Sequence, residues 1–435
     1  MKFSLRHRST GTAYVIFEPG LHWTFRLFFR KIYLNNTHGV PADKPVLLAS
    51  NHPTAFIDPL LLCVFLDPPI YNMTRGDIFH KPFFRKLMES VNMFPVYRMR
   101  DGYASRDRND GVFEFCQNKL RDHHTVNIFV EGEHHLDRRI RPLQKGLARI
   151  AFGTYERYLL DDLQIIPVGC NYLYGDRVRD EATLNIGQPI FVRDYWAGYQ
   201  INAAAAINLL CQDIETALKS LCFHIENPHD DTLAERLLTL HRSDHPAPLL
   251  PILNYDTARF APEKAVLDRL NILPEAEKDE LRHRVNLYFK VLDKAGISDE
   301  SLVRPEYGAV SWLVFLAAGG APFLIGGVLS WPVRLLARYL AGRSVKKKEF
   351  FTSVLMGIGH FSGMVYILLL LATGLISRSA VMIAAALMVP LLTWFFLFYR
   401  DVWARWWAAR RANKHPKRAE LLELRGAISY ASDVK

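Results

Sequence analysis

LLASNHPTAFIDPLLL, residues 47–62, decides how the rest of the chain is read. The apolar run Val46-Leu47-Leu48-Ala49 has the composition of a strand buried on both faces. It runs into Asn51-His52-Pro53, and Asp58-Pro59 follows a few residues on. On one continuous helix, His52 and Asp58 would point about 240° apart, so they meet only if the chain turns between them. Pro53 disfavours helix at His52, and Asp58-Pro59 reads as a helix start, with Asp58 at N-cap and Pro59 at N1. A strand–loop–helix of this kind presents both side chains at a strand's carboxyl end, where open α/β sheets bind ligands. A carboxylate on one imidazole nitrogen leaves the other to take a proton from a hydroxyl. The same residues also fit a plain loop histidine beside a helix cap, and the rest of the chain has to decide.

With 435 residues, there is room for more than one domain and a full hydrophobic core. Half the residues are hydrophobic, which directs attention to membrane segments, and the formal net charge is +10. Such a charge suits nucleic acid, anionic lipid or a phosphorylated ligand. Cys63, Cys116, Cys170, Cys211 and Cys222 are odd in number and form no CxxC pair, so a reducing compartment is expected and a zinc site or disulfide framework is not. The N-terminal stretch lacks an apolar run with a cleavage site, and no secretory signal is expected.

Residues 1–36 are read as an aromatic-rich basic helix at a membrane surface, or one packed on the core. From 37 to 230, strand-like stretches (45–50, 69–73, 92–97, 126–130, 165–170) alternate with helix-like ones (59–66, 81–90, 107–121, 143–160), and 199–223 closes the region as a helix. Continuous Val/Ile/Leu/Phe strands between helices predict an α/β domain with a mostly parallel sheet. Residues 231–305 read as a helical connector without chemistry of its own.

The stretch 306–435 reads as a membrane region with a basic tail. Residues 350–376 and 379–399 are long and apolar enough to cross about 30 Å of hydrocarbon. Residues 307–340 are interrupted by Ala318-Gly319-Gly320-Ala321-Pro322 and predict a re-entrant or interfacial hairpin bent there. Arg334, Arg338, Arg343 and Lys346–Lys348 on one side, and Arg400, Arg405, Arg410, Arg411, Lys414, Lys417 and Arg418 on the other, should all face the cytoplasm. Two crossings satisfy this; a third would put the N-terminal domain outside. Much of the basic excess thus flanks membrane segments, which argues against nucleic acid as a partner.

Three further stretches join His52 and Asp58. NMFPVYRMRDG (92–102) ends a strand with Arg98 and Arg100, suited to a phosphate; IFVEGEHHL (128–136) ends another with Glu131-Gly132; RPLQKGLARIAF (141–152) places Lys145, Gly146 and Arg149 at a helix start. IIPVGCNY (165–172) is an apolar strand carrying a proline. In this order the set resembles the lysophosphatidic acid/glycerol-phosphate acyltransferase family, with its NHxxxxD block, arginine-bearing strand, FPEGTRS-like run and apolar strand with proline. The resemblance covers about residues 40–225. It implies a membrane enzyme moving an acyl chain from acyl-CoA or acyl-carrier protein to a glycerol-phosphate or lysophospholipid hydroxyl, with no cofactor and no metal. By it, His52 is the general base and Asp58 its orienting carboxylate, while Arg98, Glu131 and Gly132 bind the acceptor; Arg100 and Lys145 join them on charge, and Arg149 fits a snorkelling role.

Two departures matter. Five residues separate His52 from Asp58 where most of the family has four, a spacing similar to the glycerol-3-phosphate/dihydroxyacetone-phosphate branch. Glu133-His134-His135 stand where Thr-Arg-Ser is usual, so the customary arginine is missing. No Asp or Cys lies at ligand spacing from His134 and His135 to make a metal site. No GxSxG elbow is present, which argues against an α/β-hydrolase. The alternative of a different class is a non-catalytic membrane protein that binds or tethers lipid on the same fold.

Overall fold

The computed structural model describes residues 12–76, 79, 82–96, 104–304, 309–345 and 348–428. Contacts divide the chain into two units. The first holds Lys31–Phe223 and Leu253–Thr257 with the chain up to His22; the second holds Trp23–Arg30, His224–Ile252 and the chain from Ala258. Helix α1 (Thr12–Phe28) leads from one into the other.

The first unit is built on a nine-stranded sheet of β1 (Lys31–Asn35), β2 (Val46–Ser50), β3 (Ile70–Arg75), β4 (Met93–Val96), β5 (Thr125–Phe129), β6 (Gln164–Tyr172), β7 (Glu181–Ile186), β8 (Ile190–Phe191) and β9 (Leu253–Asn254). The order is β4-β3-β5-β2-β6-β7-β1-β9, with β8 on β6. Strands β2 to β6 run parallel; β7 is antiparallel to β6, and β1 and β9 follow β7. Helices α2 (Ile57–Phe65), α3 (Pro82–Ser90), α4 (Ala104–Arg121), α5 (Gly146–Tyr158), α6 (Arg193–Ile201) and α7 (Ala203–Leu221) complete it. The mostly parallel α/β sheet expected from the alternating pattern is therefore present.

Strand β2 is central and wholly buried, with β5 on one side and β6 on the other. Leu47 and Ala49 of β2, with Val126 and Ile128 of β5, meet Leu147, Ile150 and Ala151 of α5 in one core. The registers Ser50↔Phe129 and Ser50↔Val168 set the end of β2 between β5 and β6. Three elements depart from expectation. Residues 31–35 form β1 rather than the end of a helix, with all five side chains buried. Strand β7, EATLNI, is buried throughout despite its polar residues, since Asn185 bonds Asn35 and, at 2.7 Å, the Leu221 carbonyl. The closing helix is two helices, because Asn202 leaves helical geometry and its Oδ1 caps α7 through the Ala205 N–H at 3.1 Å.

In the second unit, α8 (Asp231–Asp244), α9 (Phe260–Ile272), α10 (Glu275–Ala295) and α11 (Asp299–Val303) form the connector. Buried carboxylates fasten it. Asp230 holds Lys278 (3.0 Å) and Arg282 (2.7 Å), and Glu263 holds Arg242 (2.7 Å) and Arg259 (2.8 Å). Three long helices follow, α12 (Ala309–Ser344), α13 (Lys348–Ile376) and α14 (Ala380–Asn413), then α15 (Arg418–Gly426). All three are long and apolar enough to cross a membrane. Arg425 of α15 returns to the connector, 2.8 Å from the buried Asp299 of α11.

Helix α12 remains helical through Gly319-Gly320-Ala321-Pro322, where the sequence suggests a bend. Gly319 and Gly326 serve close approach instead: a Cβ on Gly319 would fall 2.2 Å from the Tyr399 ring, and one on Gly326 2.2 Å from the Leu392 carbonyl oxygen. Trp312 stacks on Trp406 at 3.9 Å and Phe323 on Phe396 at 5.0 Å, so this half of α12 runs antiparallel to α14. Further on, a Cβ on Gly363 or Gly359 of α13 would lie 3.8 Å from Val333 or 4.0 Å from Ala337, again an antiparallel register. Helices α13 and α14 oppose each other across a tight turn closed by Ser379 N–H to the Gly374 carbonyl at 2.9 Å. A straight helix cannot oppose both members of an antiparallel pair, so the axis of α12 bends between Gly326 and Val333. Pro332 lacks the N–H that would bond Val328, and the Ser330 hydroxyl takes the Gly326 carbonyl at 2.6 Å. Beside the bend, Arg334 donates to the Gly327 carbonyl (3.0 Å) and lies 4.2 Å over the Phe396 ring.

Candidate active site

Strand β2 ends at Ser50, but its pairing continues through a side chain. Asn51 Nδ2 donates to the Cys170 carbonyl (3.0 Å), and Asn51 Oδ1 accepts the Cys170 N–H (2.7 Å). Asn51 thus mimics a backbone pair with β6 while the chain leaves the sheet, and His52 emerges at a fixed point.

His52 Nδ1 lies 2.9 Å from Asp58 Oδ2; Asp58 is wholly buried and the His52 side chain is 15% exposed. An ionised carboxylate only accepts, so Nδ1 donates and Nε2 carries the free lone pair. The His52 ring stacks on Phe129 at 3.9 Å and meets His134 edge-on at 5.7 Å. Asp58 accepts three further bonds: Thr54 N–H to Oδ2 (2.8 Å), and the hydroxyls of Thr54 (2.6 Å) and Tyr172 (2.8 Å) to Oδ1. The expected N-cap role is corrected here. Phe56 occupies the cap, Asp58 is the second residue of α2, and its carboxylate serves the loop and the histidine rather than the helix end.

Glu131 lies just past β5, with Oε1 accepting the His52 N–H (3.2 Å) and Oε2 the Arg141 N–H (3.1 Å). It braces the histidine loop against the segment leading to α5. Burial pushes its carboxyl above the usual Glu range, while the two N–H donors pull the other way. Gly132 has φ +74°, a conformation that favours glycine. Gln144 N–H donates to the Val130 carbonyl (2.7 Å), tying the start of α5 to the end of β5. Lys145, exposed, stands at the N-cap of α5. His52, Asp58, Glu131, Gly132 and Lys145 therefore gather at the carboxyl ends of β2 and β5. Arg98 and Arg100 lie outside the described residues. Thr54, Phe129 and Tyr172 were not singled out from sequence, and Asn51 and His134 were named there without these roles. The one available signal was a phenol at the end of the mostly apolar strand 164–172.

Comparison with known proteins finds a likeness to acyltransferases. Residues 31–171 match the Acyltransferase family model. Glycerol-3-phosphate O-acyltransferase 2 of Saccharomyces cerevisiae is 24% identical over 248 residues, covering 54% of this chain and 31% of that protein. An uncharacterized acyltransferase of Schizosaccharomyces pombe is 26% identical over 249 residues, covering 54% of this chain and 35% of its own. The chain thus spans about a third of the length of these two relatives. Among solved structures, the lysophosphatidic acid acyltransferase PlsC of Thermotoga maritima aligns with TM-score 0.34 and 15% identity over 47% of this chain and 78% of that one. Residues 31–171 thus match an acyltransferase family model, and their ordered blocks resemble the lysophosphatidic acid/glycerol-phosphate acyltransferase family.

Proposed function

We propose that this protein transfers a fatty acyl group from a thioester, acyl-CoA or acyl-carrier protein, to a hydroxyl of glycerol 3-phosphate or lysophosphatidic acid at a membrane. The observation that carries the reading is the His52–Asp58 pair at the end of β2, 2.9 Å apart, with Glu131 on the histidine backbone. His52 Nε2 takes the proton of the acceptor hydroxyl as its oxygen attacks the thioester carbonyl. Collapse of the tetrahedral intermediate breaks the C–S bond, and the imidazolium returns its proton to the departing thiolate. Asp58 orients the ring and steadies its transient positive charge. Gly132 N–H is committed to the Phe129 carbonyl (3.1 Å), so the free N–H groups opening α5 at Gly146 are assigned to the oxyanion. Lys145, Arg98 and Arg100 are assigned to the acceptor phosphate. The likeness to the budding-yeast glycerol-3-phosphate O-acyltransferase favours glycerol 3-phosphate as acceptor.

The membrane region is read as two crossings, α13 and α14, with α12 entering and leaving on one face. Two observations support this. Trp312 at the start of α12 stacks on Trp406 near the end of α14, and Asp299 just before α12 binds Arg425 just after α14. Both ends of the region then share a side, which requires an even number of crossings. Acyl-CoA and acyl-carrier protein are cytoplasmic, so that side is assigned to the cytoplasm, as the basic flanks require.

The test is a transfer assay on purified protein, with acyl-CoA and acyl-carrier protein against glycerol 3-phosphate, dihydroxyacetone phosphate and lysophospholipids. Transfer to a glycerol phosphate that His52→Ala abolishes supports the reading. Absence of transfer from every donor to every acceptor overturns it in favour of a non-catalytic lipid-binding protein.

A further inference from the structure

We propose that Tyr172 is a positioning residue that sets how strongly Asp58 grips His52, acting through the carboxylate oxygen that faces away from the histidine. The proposal rests on the reading of His52 as the base. The two oxygens of Asp58 have divided tasks. Oδ2 receives His52 Nδ1 (2.9 Å) and the Thr54 N–H (2.8 Å); Oδ1 receives only hydroxyls, from Thr54 (2.6 Å) and Tyr172 (2.8 Å). A hydroxyl beside an ionised carboxylate can only donate. Each such bond draws charge density away from the carboxylate and weakens its pull on the imidazolium.

Placement by the fold makes this more than a filled hydrogen bond. Tyr172 is the last residue of β6, two positions beyond Cys170, so both point to the same face. The Cys170 backbone is locked to Asn51 through paired bonds of 2.7 and 3.0 Å. One strand thus holds the residue before His52 and also delivers the phenol to its carboxylate. Burial, first, and then the Asp58 charge raise the Tyr172 phenol well above its ordinary range, so it remains a donor. Other charged or titratable groups facing the pair are few among the described residues. Cys170 is kept a neutral thiol by burial, and Glu131 and His134 stand on the loop after β5.

The test varies donor strength at one position in the full-length protein. Tyr172→Phe removes the donor; 3-fluorotyrosine at 172 keeps the shape and makes the phenol a stronger donor. The readouts are the pH midpoint for carbethoxylation of His52 by diethyl pyrocarbonate, followed by mass spectrometry, the acidic limb of kcat/KM, and Tm. Tyr172→Phe should raise the midpoint and the limb by about half a pH unit, and the fluorinated protein should lower both. Midpoints unchanged in both proteins, or a change in Tm alone, overturn the proposal. If Tyr172→Phe does not fold, the fluorinated protein decides: a lowered midpoint supports the proposal, and an unmoved one overturns it. A wild type without transferase activity defeats the reaction reading, while the modification midpoints still judge Tyr172.

Discussion

Asp58→Asn tests the dyad most directly, because it removes a charge and almost no volume. Asp58 is wholly buried, and four donors converge on it: His52 Nδ1 at 2.9 Å, the Thr54 N–H at 2.8 Å, and the hydroxyls of Thr54 and Tyr172 at 2.6 and 2.8 Å. An asparagine can place its oxygen toward His52 and the Thr54 N–H, and its NH2 toward the two hydroxyls, which rotate to accept. The fold should therefore survive, with a Tm within a few degrees of wild type. What is lost is the attraction between a carboxylate and the imidazolium formed during transfer. With charge centres about 4 Å apart and an effective dielectric near 20, that attraction is roughly 4 kcal/mol. Removed from the transition state, it lowers kcat about a thousandfold, with KM for donor and acceptor little changed. The assay is steady-state transfer from radiolabelled acyl-CoA, with circular dichroism on the same preparation. A folded Asn variant within tenfold of wild-type turnover would refute the electrostatic role and reduce Asp58 to a loop brace.

Arg98→Ala should raise the acceptor KM far more than the donor KM, since a guanidinium pairs with the phosphate; equal effects would remove it from the acceptor site. Gly326→Ala should lower the Tm of the detergent-solubilised protein, because its Cβ would fall 2.2 Å from the Leu392 carbonyl oxygen, at a cost of about 1–3 kcal/mol. Gly320→Ala, where nothing lies within 4 Å, is the control and should not lower it. Single cysteines in sealed vesicles, in a background without the native five, should label from the cytoplasmic side at Ser344 and from the opposite side at Ser377; labelling of both from one side would sink the two-crossing arrangement. Burial, with His245 and Arg259 alongside, pushes the His241 imidazole down to about 4. The folded state then binds fewer protons than the unfolded one below about pH 6.5, so stability falls as pH drops from there toward 4, by roughly 3 kcal/mol at most. His241→Gln should flatten that acid slope, and an unchanged slope would show that other groups cause it.

The parallel half of the sheet was legible because its strands are continuous apolar runs, and 46–50 and 93–96 fall within the stretches read from sequence. The antiparallel half was not. Strand β7 carries Glu181, Thr183 and Asn185 into a buried position, where Asn185 is satisfied by Asn35 and the Leu221 carbonyl, so a reading based on apolar runs passes over it. In the site, His52 and Asp58 were visible because they are close in sequence. Tyr172, 114 residues from Asp58, becomes their neighbour only through the β2–β6 pairing, which no local pattern encodes. Glu131 was expected at the acceptor. Its bonds to two backbone N–H groups show how a carboxylate at a strand end can be spent on the loop itself. In α12, proline and glycine both read as breakers. Only the partner helix distinguishes a glycine that permits contact, Gly319, from the proline that bends the axis, Pro332.

The seam between α12 and α14 also sets an order of assembly. Phe315 and Tyr399, whose rings stack, stand 84 residues apart, and at roughly 5–20 residues per second the ribosome needs about 4–17 seconds to make the second after the first. Throughout that interval α12 exists without the surface it is shaped for. Its Gly319 and Gly326 grooves have no ring or carbonyl to receive, and Arg334 has no Phe396 to lie against. The bent helix is synthesised first among the three long helices, and its seam with α14 is the last to be filled.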